Sequence, residues 1–164
     1  PFFNGNEQNG RIILLLYLKL AGLLDLPALY MSNYIIDNKT AYYNNLRKVT
    51  EEGNWEDWIM YMLDMVEETA LKGRKQITAI EDLMNTMATE IQDKLPKVYS
   101  KDLIEALFRL PYTKRQQLEA EGLASLKTIG NYLIALEEKG FLKSETVGKE
   151  KIYINYRLLE ILKQ

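Results

Sequence analysis

Residues 122–155, GLASLKTIGNYLIALEEKGFLKSETVGKEKIYIN, form the stretch that decides the fold of the C-terminal part of the chain. Ser125 is a favourable N-cap and Gly140 a favourable residue for ending a helix, so a helix is predicted between them. Its apolar residues recur at steps of four and three, as on the buried face of a helix: Ile129, Leu133 and Leu136. Two β-prone segments follow, 141–146 and 151–155, and a turn that contains a glycine joins them in a predicted hairpin.

The residues on either side of this stretch extend the pattern. Helices are predicted over 100–109 and 113–121, a turn follows at Gly122, and a last short helix covers 157–163. Three helices, a turn and a hairpin form the layout of a winged helix-turn-helix. We therefore predict a winged-helix domain over residues 97–164.

The N-terminal part of the chain is predicted to be helical. A nearly continuous apolar run predicts a helix over 10–24 that is buried on most of its faces, and a second helix covers 34–50. A long third helix follows the N-cap Asn54 and ends at Leu95, and Gly73 is expected to bend or break it. The methionines and aromatic residues of this helix recur at steps of three and four, which indicates packing rather than a cofactor site.

Composition limits the chemistry that these residues can carry. The 164 residues include no histidine and no cysteine, which excludes imidazole bases, thiolates, disulfides and the common zinc sites. The net charge is −2, with −4 up to Tyr99 and +2 from Ser100 onward. No apolar run is long enough to span a bilayer and no signal-peptide pattern occurs, so we predict a cytoplasmic protein without a membrane partner.

The first eleven residues, PFFNGNEQNGR, predict an anion site. A loop rich in Gly and Asn leads directly into a helix N-terminus, where backbone N–H groups and the helix dipole favour negative charge. Gly5 allows a phosphate to approach the backbone, and Arg11 lies about one turn into the helix, from where its guanidinium can reach back. The alternative is an ordinary helix start that Asn6 or Glu7 merely caps.

The same stretch resembles the Fic motif, which reads His-Pro-Phe-x-Asp/Glu-Gly-Asn-x-Arg and is often continued by a further residue and Gly-Arg. The 29–32 link, Leu-Tyr-Met-Ser, and the Tyr42-Tyr43 pair also look like Fic proteins that carry C-terminal winged helices. The resemblance implies a mainly α chain, with the C-terminal half of a helical Fic fold over residues 1–96 and the winged helix after it. It implies transfer of AMP from ATP to a hydroxyl group of a target protein, whose identity the sequence does not give.

The resemblance also implies which residues bind the nucleotide. The family's catalytic His would precede Pro1, so no catalytic residue is expected in this chain, which we expect to be a piece of a longer protein. The ATP phosphates would be held by Asn4, Gly5, Asn6, Glu7, Gln8, Gly10 and Arg11. Mg²⁺ would be bound at the acidic position, which is Asn4 here.

Three departures from the motif predict weak or absent activity. Asn4 is a neutral and poorer Mg²⁺ ligand, Gln8 replaces an arginine of the phosphate clamp, and Glu7 adds a negative charge. Each effect is worth about 1–3 kcal/mol, so phosphate affinity is expected to fall about a hundredfold.

The predicted winged helix offers a second candidate site, for duplex DNA. Its candidate contacts lie at the start of the third helix and on the wing: Ser125, Lys127, Thr128, Asn131, Lys143, Lys149 and Lys151. Four glutamates lie close to them in the sequence: Glu137, Glu138, Glu145 and Glu150. The alternative function is therefore a winged-helix regulator of DNA with a helical scaffold. A third alternative is that this module packs on the Fic core or forms a homodimer.

Overall fold

A computed structural model describes residues 5–25, 29–148 and 150–163 of the chain, without the side chain of Glu7. These residues form a mainly helical protein with one small antiparallel sheet, as predicted. The helices are α1 Asn6–Leu20, α2 Ser32–Asp37, α3 Lys39–Glu52, α4 Trp55–Lys94, α5 Lys101–Arg109, α6 Arg115–Ala120, α7 Leu126–Glu138 and α8 Tyr156–Leu162. The strands are β1 Tyr112–Thr113, β2 Lys143–Val147 and β3 Glu150–Ile154, in the order β1-β3-β2.

The chain divides into two compact units, Pro1–Lys75 and Gln76–Gln164. This division falls within α4, whereas the sequence predicts a domain boundary after residue 96. The difference arises because the C-terminal part of α4 contributes Met87 and Ile91 to the core that α5 and α7 build. The predicted boundary marks the end of α4 at Pro96, whereas the two packed units divide within that helix.

Helix α1 begins and ends at glycines with left-handed backbone conformations. Gly5 precedes it with φ 76° and Gly22 follows it with φ 71°. After Gly22 the Leu23 N–H donates to the Leu18 carbonyl at 3.0 Å, which closes the helix end. The predicted bounds of 10–24 are therefore wrong at both ends, because a glycine at positive φ ends the helix before the proline does.

The prediction that α1 is buried on most faces is also wrong for the described chain. Leu14 and Leu15 pack against the core of the first unit. Five large apolar side chains of the helix are more than half exposed: Ile12, Ile13, Leu16, Tyr17 and Leu20. The described residues offer no surface that covers them, so the apolar run of the sequence has only one packed side here.

Helices α2 and α3 replace the single helix predicted over 34–50. Asn38 separates them with φ −114° and ψ 31°, outside the helical region. Its side-chain amide donates to the Tyr34 carbonyl at 3.0 Å, and its own carbonyl accepts from the Tyr42 N–H at 3.0 Å. An asparagine that bonds the local backbone in this way competes with helix continuation, which explains the break.

Helix α4 is continuous over forty residues. Its first turn is capped by Asn54, whose Oδ1 accepts from the Asp57 N–H at 3.3 Å, as predicted. Gly73 was expected to bend or break this helix, but the helix continues through it. The Gly73 backbone keeps a negative φ, and only a side chain is missing there. At about 1.5 Å per residue, α4 is about 60 Å long.

The core of the first unit is rich in aromatic rings. Tyr42, Trp58 and Tyr61 pack edge-to-face or stacked, with ring centroids 5.3–6.1 Å apart. The Tyr61 hydroxyl is buried without a hydrogen-bond partner in the described part of the chain, and burial raises the pKa of Tyr61 to about 12. Met65 of α4 is fully buried beside these rings, as Met87 is in the second unit. The interpretation of the methionine stripe as packing is confirmed for Met62, Met65, Met84 and Met87, whereas Met60 is 54% exposed.

The second unit is built on capped helices. The Ser100 Oγ accepts from the Leu103 N–H at 3.1 Å, and the Asn155 Oδ1 accepts from the Leu158 N–H at 3.2 Å. Its core contains the three residues predicted for α7, Ile129, Leu133 and Leu136. The helix predicted over 113–121 begins later, at Arg115, and Tyr112 and Thr113 form strand β1 instead. This two-residue strand is defined only by its pairing with β3, which the local sequence does not reveal.

Candidate functional site

The N-terminus of α1 has the backbone expected of a phosphate-binding turn. Gly5 occupies the N-cap position in a left-handed conformation, and its carbonyl accepts from the Asn9 N–H at 2.9 Å. Asn6 and Glu7 are therefore residues of the first helical turn and not the N-cap. A left-handed glycine followed by helical residues turns successive N–H groups towards one point, the arrangement that binds anions.

A groove of about 330 Å³ lies along one side of α1, from Gln8 to Leu15. It brings together two of the predicted phosphate ligands, Gln8 and Arg11, because residues three apart share one face of a helix. The lining is completed by Ile12 and Leu15 of α1 and by Leu29, Tyr30, Met31 and Ser32. Gly5, Asn6 and Gly10 do not line the groove, and Asn4 lies outside the described residues.

The charge of the groove comes from Arg11, which is half-buried, since the other described lining residues are neutral. An arginine at the rim of an apolar groove can pair bidentately with a phosphate or a carboxylate. Glu7 belongs to the same first turn of α1, but its side chain lies outside the described part.

The predicted Mg²⁺ site stays a prediction. Among the described residues, no three acidic, histidine or cysteine side chains form a cluster that could hold a metal ion. The predicted ligand Asn4 is outside the described range and would supply one neutral oxygen. The described groove thus contains one cation, Arg11, and no carboxylate among the lining residues.

The groove residues of the 29–32 link were not among the predicted site residues, because the sequence showed only that this link resembles Fic proteins. Met31 is buried in the first core, whereas Tyr30 is exposed beside the groove. The alternation of apolar and polar side chains in Leu29-Tyr30-Met31-Ser32 is the only sequence signal for a segment that lines a groove while anchoring it.

The residues predicted at the start of α7 divide into two kinds. Ser125 and Thr128 cap the helix: the Ser125 Oγ accepts from the Thr128 N–H at 3.3 Å and lies 2.9 Å from the Thr128 Oγ1. Lys127 and Asn131 are exposed. Two of the four α7 candidates are therefore open to a ligand, and the other two serve the helix itself.

The lysines of the hairpin are engaged within the described chain. Lys151 Nζ lies 3.0 Å from Glu137 Oε2, and Lys143 Nζ lies 4.6 Å from the ring centroid of Tyr156. The Ser144 hydroxyl and Lys151 both bond Glu137, and they hold the pKa of its carboxyl below the usual range. Lys149 lies outside the described residues. Pairing with glutamate reduces the positive field that DNA phosphates would meet.

An arginine that the sequence did not single out connects three elements of the second unit. The Arg115 Nη2 donates to the Tyr153 Oη at 3.2 Å. The guanidinium also lies across Gly130 of α7, where a Cβ would stand 3.3 Å from Nη1. The Arg115 Nε is buried without a hydrogen-bond partner in the described part. The glycine in the middle of α7 is thus explained by close approach of this side chain.

One comparison with known proteins bears on the second unit. Residues 83–158 match the family described as "Protein adenylyltransferase SoFic-like, C-terminal domain". The matched range begins in the last part of α4 and ends in α8, so it includes the three-stranded sheet. This part of the chain is similar to the C-terminal domain of a Fic-type adenylyltransferase. Among the described helices, none has the length and apolar character needed to cross a membrane.

Proposed function

We propose that this chain is part of a Fic-type protein adenylyltransferase, in which the turn before α1 holds the phosphates of ATP. The observation that carries the proposal is the agreement of two separate regions. Residues 1–11 resemble the Fic motif, and residues 83–158 match the C-terminal domain of such an enzyme. Two regions that point to one family, in the order that the family has them, support each other.

The geometry of α1 supports phosphate binding. Gly5 provides the left-handed turn, the helix N-terminus provides N–H groups, and Arg11 provides a cation one turn further on. Gln8 lines the same groove at the place where the motif has an arginine. A neutral amide there can donate a hydrogen bond but adds no charge, so the affinity for ATP is low.

Transfer of AMP needs a base that accepts the proton of the target hydroxyl. The chain contains no histidine, and the resemblance puts the family's base before Pro1. We therefore propose that the 164 residues bind nucleotide and do not transfer AMP by themselves. In this proposal the C-terminal part, with helices α5 to α7 and the hairpin, is a winged helix-turn-helix.

The test of the proposal is ATP binding by the whole chain, measured by isothermal titration. Arg11→Ala should lower the affinity about tenfold, since it removes a charge-assisted hydrogen bond to phosphate. Lys75→Ala removes the same charge from an exposed position of α4 and should leave the affinity unchanged. Equal affinities of the wild-type chain and the Arg11 variant, with circular dichroism showing both folded, would rule out this phosphate site.

Binding of duplex DNA is the second candidate function. The exposure of Lys127 and Asn131 at the start of α7 favours it. The ion pair between Lys151 and Glu137, and the one between Lys114 and Glu150, oppose strong binding. We propose that any such binding is weak and dominated by phosphate contacts.

A further inference from the structure

The middle of α4 lies outside both apolar cores of the described chain. Val66 packs against the core of the first unit, and Met84 packs against the core of the second. These two residues are about 27 Å apart along the helix, and no described residue between them belongs to either core. We call residues 67–75 the α4 middle segment. None of its side chains is buried, and all are exposed except those at positions 69 and 73, which are intermediate.

The helix of the α4 middle segment depends on its own backbone hydrogen bonds and on helix propensity. Helices shorter than about 12–15 residues are marginal in water when nothing packs against them. Gly73 weakens the helix further, and no packing requires a glycine there, since an added Cβ would meet nothing within 4 Å. Directly after the segment, the Gln76 Nε2 donates to the Ile161 carbonyl at 3.1 Å, which ties the next turn to α8. Local unfolding of α4 should therefore cost least in the middle segment.

Three basic side chains lie where the helix is weakest. Lys72, Arg74 and Lys75 are exposed, and none of them forms an ion pair within the described part of the chain. The division into two compact units falls directly after Lys75. Proteolysis of a folded chain proceeds through locally opened states, so an exposed basic cluster in the least stable part of a helix is suited to a protease that cleaves after Lys or Arg.

We propose that the α4 middle segment is a cleavage site for an endoprotease specific for basic residues, made accessible by local unfolding of the helix. Hydrolysis adds one water across the peptide bond after Lys72, Arg74 or Lys75, which leaves a carboxylate on that residue and a new amino group on the next. The N-terminal product keeps α1 and its groove, and the C-terminal product keeps all of residues 83–158, the range that matches the family. The proposal is independent of the proposed nucleotide site.

The experiment is limited digestion of the whole chain with trypsin, with the products identified by intact mass spectrometry. The first cleavage should follow Lys72, Arg74 or Lys75. Gly73→Ala should slow this cleavage about fivefold and Ala70→Gly should accelerate it about fivefold, because cleavage follows the population of the open helix and the two changes alter helix propensity in opposite directions. Neither change removes a basic residue.

Ala41→Gly is the matched control, because it makes the same change as Ala70→Gly at an exposed position of α3. It should leave the rate of cleavage in the α4 middle segment unchanged. Hydrogen exchange gives a measurement without a protease: the amides of residues 67–75 should exchange at least about tenfold faster than those of residues 84–91. A first cleavage elsewhere in the chain would overturn the proposal. It would equally be overturned by variants at positions 70 and 73 that behave like the control, or by amides that exchange no faster than the rest of α4.

Discussion

Whether replacing a glycine of the first unit by alanine raises or lowers the free energy of unfolding should follow from the backbone conformation alone. Gly53 ends α3 at φ 68°, and its N–H donates to the Val49 carbonyl at 3.2 Å. A Cβ added there would meet no atom within 4 Å, so Gly53→Ala carries no steric clash with its surroundings. The remaining effect is the cost of holding an L-residue in the left-handed region, about 1–2 kcal/mol. The folded-to-unfolded ratio should therefore fall by a factor of about 5–30.

Gly73→Ala is the matched control, and it should change the free energy of unfolding in the opposite direction. Gly73 lies inside α4 without a positive φ, and an added Cβ would again meet nothing within 4 Å. Alanine is favoured over glycine in a helix by about 1 kcal/mol, so this variant should be more stable than the wild type. Urea unfolding followed by circular dichroism, at a concentration where the chain is monomeric, measures both changes. If the two variants shift stability in the same direction, the assignment of the α3 end to the left-handed glycine is wrong.

Three further predictions concern the two candidate sites. Glu7→Gly together with Gln8→Arg should tighten ATP binding about tenfold or more, because a repulsive charge is removed and a cation is restored; equal or weaker binding in isothermal titration would count against a phosphate site at α1. Duplex DNA binding by the whole chain, followed by fluorescence anisotropy, should weaken with added salt with a log–log slope of roughly −2 to −4. Replacing Lys127, Lys149 and Lys151 with alanine should flatten that slope by about 0.9 for each DNA phosphate that these lysines neutralise. An unchanged slope would leave packing or dimer formation as the role of these lysines. Because the pKa of Glu137 is lowered, the stabilisation from its bonds to the hairpin is fully present above the carboxyl's unfolded pKa and is lost as pH falls through the folded pKa. NMR titration should show the Glu137 carboxyl and the Ser144 amide changing together. Lys151→Ala should raise the midpoint pH of that titration.

The parts of the fold that the sequence predicted correctly depend on local chemistry. Ser125 and Asn54 begin helices because their side-chain oxygens accept from N–H groups three residues ahead. The core positions of α7 follow from helical spacing. The end of α4 was predicted because Pro96 cannot continue a helix.

The parts that were missed depend on residues distant in the sequence. Strand β1 exists because Thr113 lies opposite Tyr153, forty residues later in the chain. The exposure of α1 depends on what covers it, which an apolar run does not reveal. At the candidate site, the sequence identified Gln8 and Arg11 but could not place the groove beside them, since Leu29 and Ser32 reach it only through the folding of the first unit.

The close approach of Arg115 to Gly130 links two positions in evolution. A methyl group at position 130 would stand 3.3 Å from the guanidinium, so even alanine requires that the arginine side chain shift. A shift would stretch its hydrogen bond to the Tyr153 hydroxyl. Related sequences that keep arginine at position 115 are therefore expected to keep glycine at position 130. Sequences that place a larger residue on the helix are expected to have a shorter, uncharged side chain in place of the arginine.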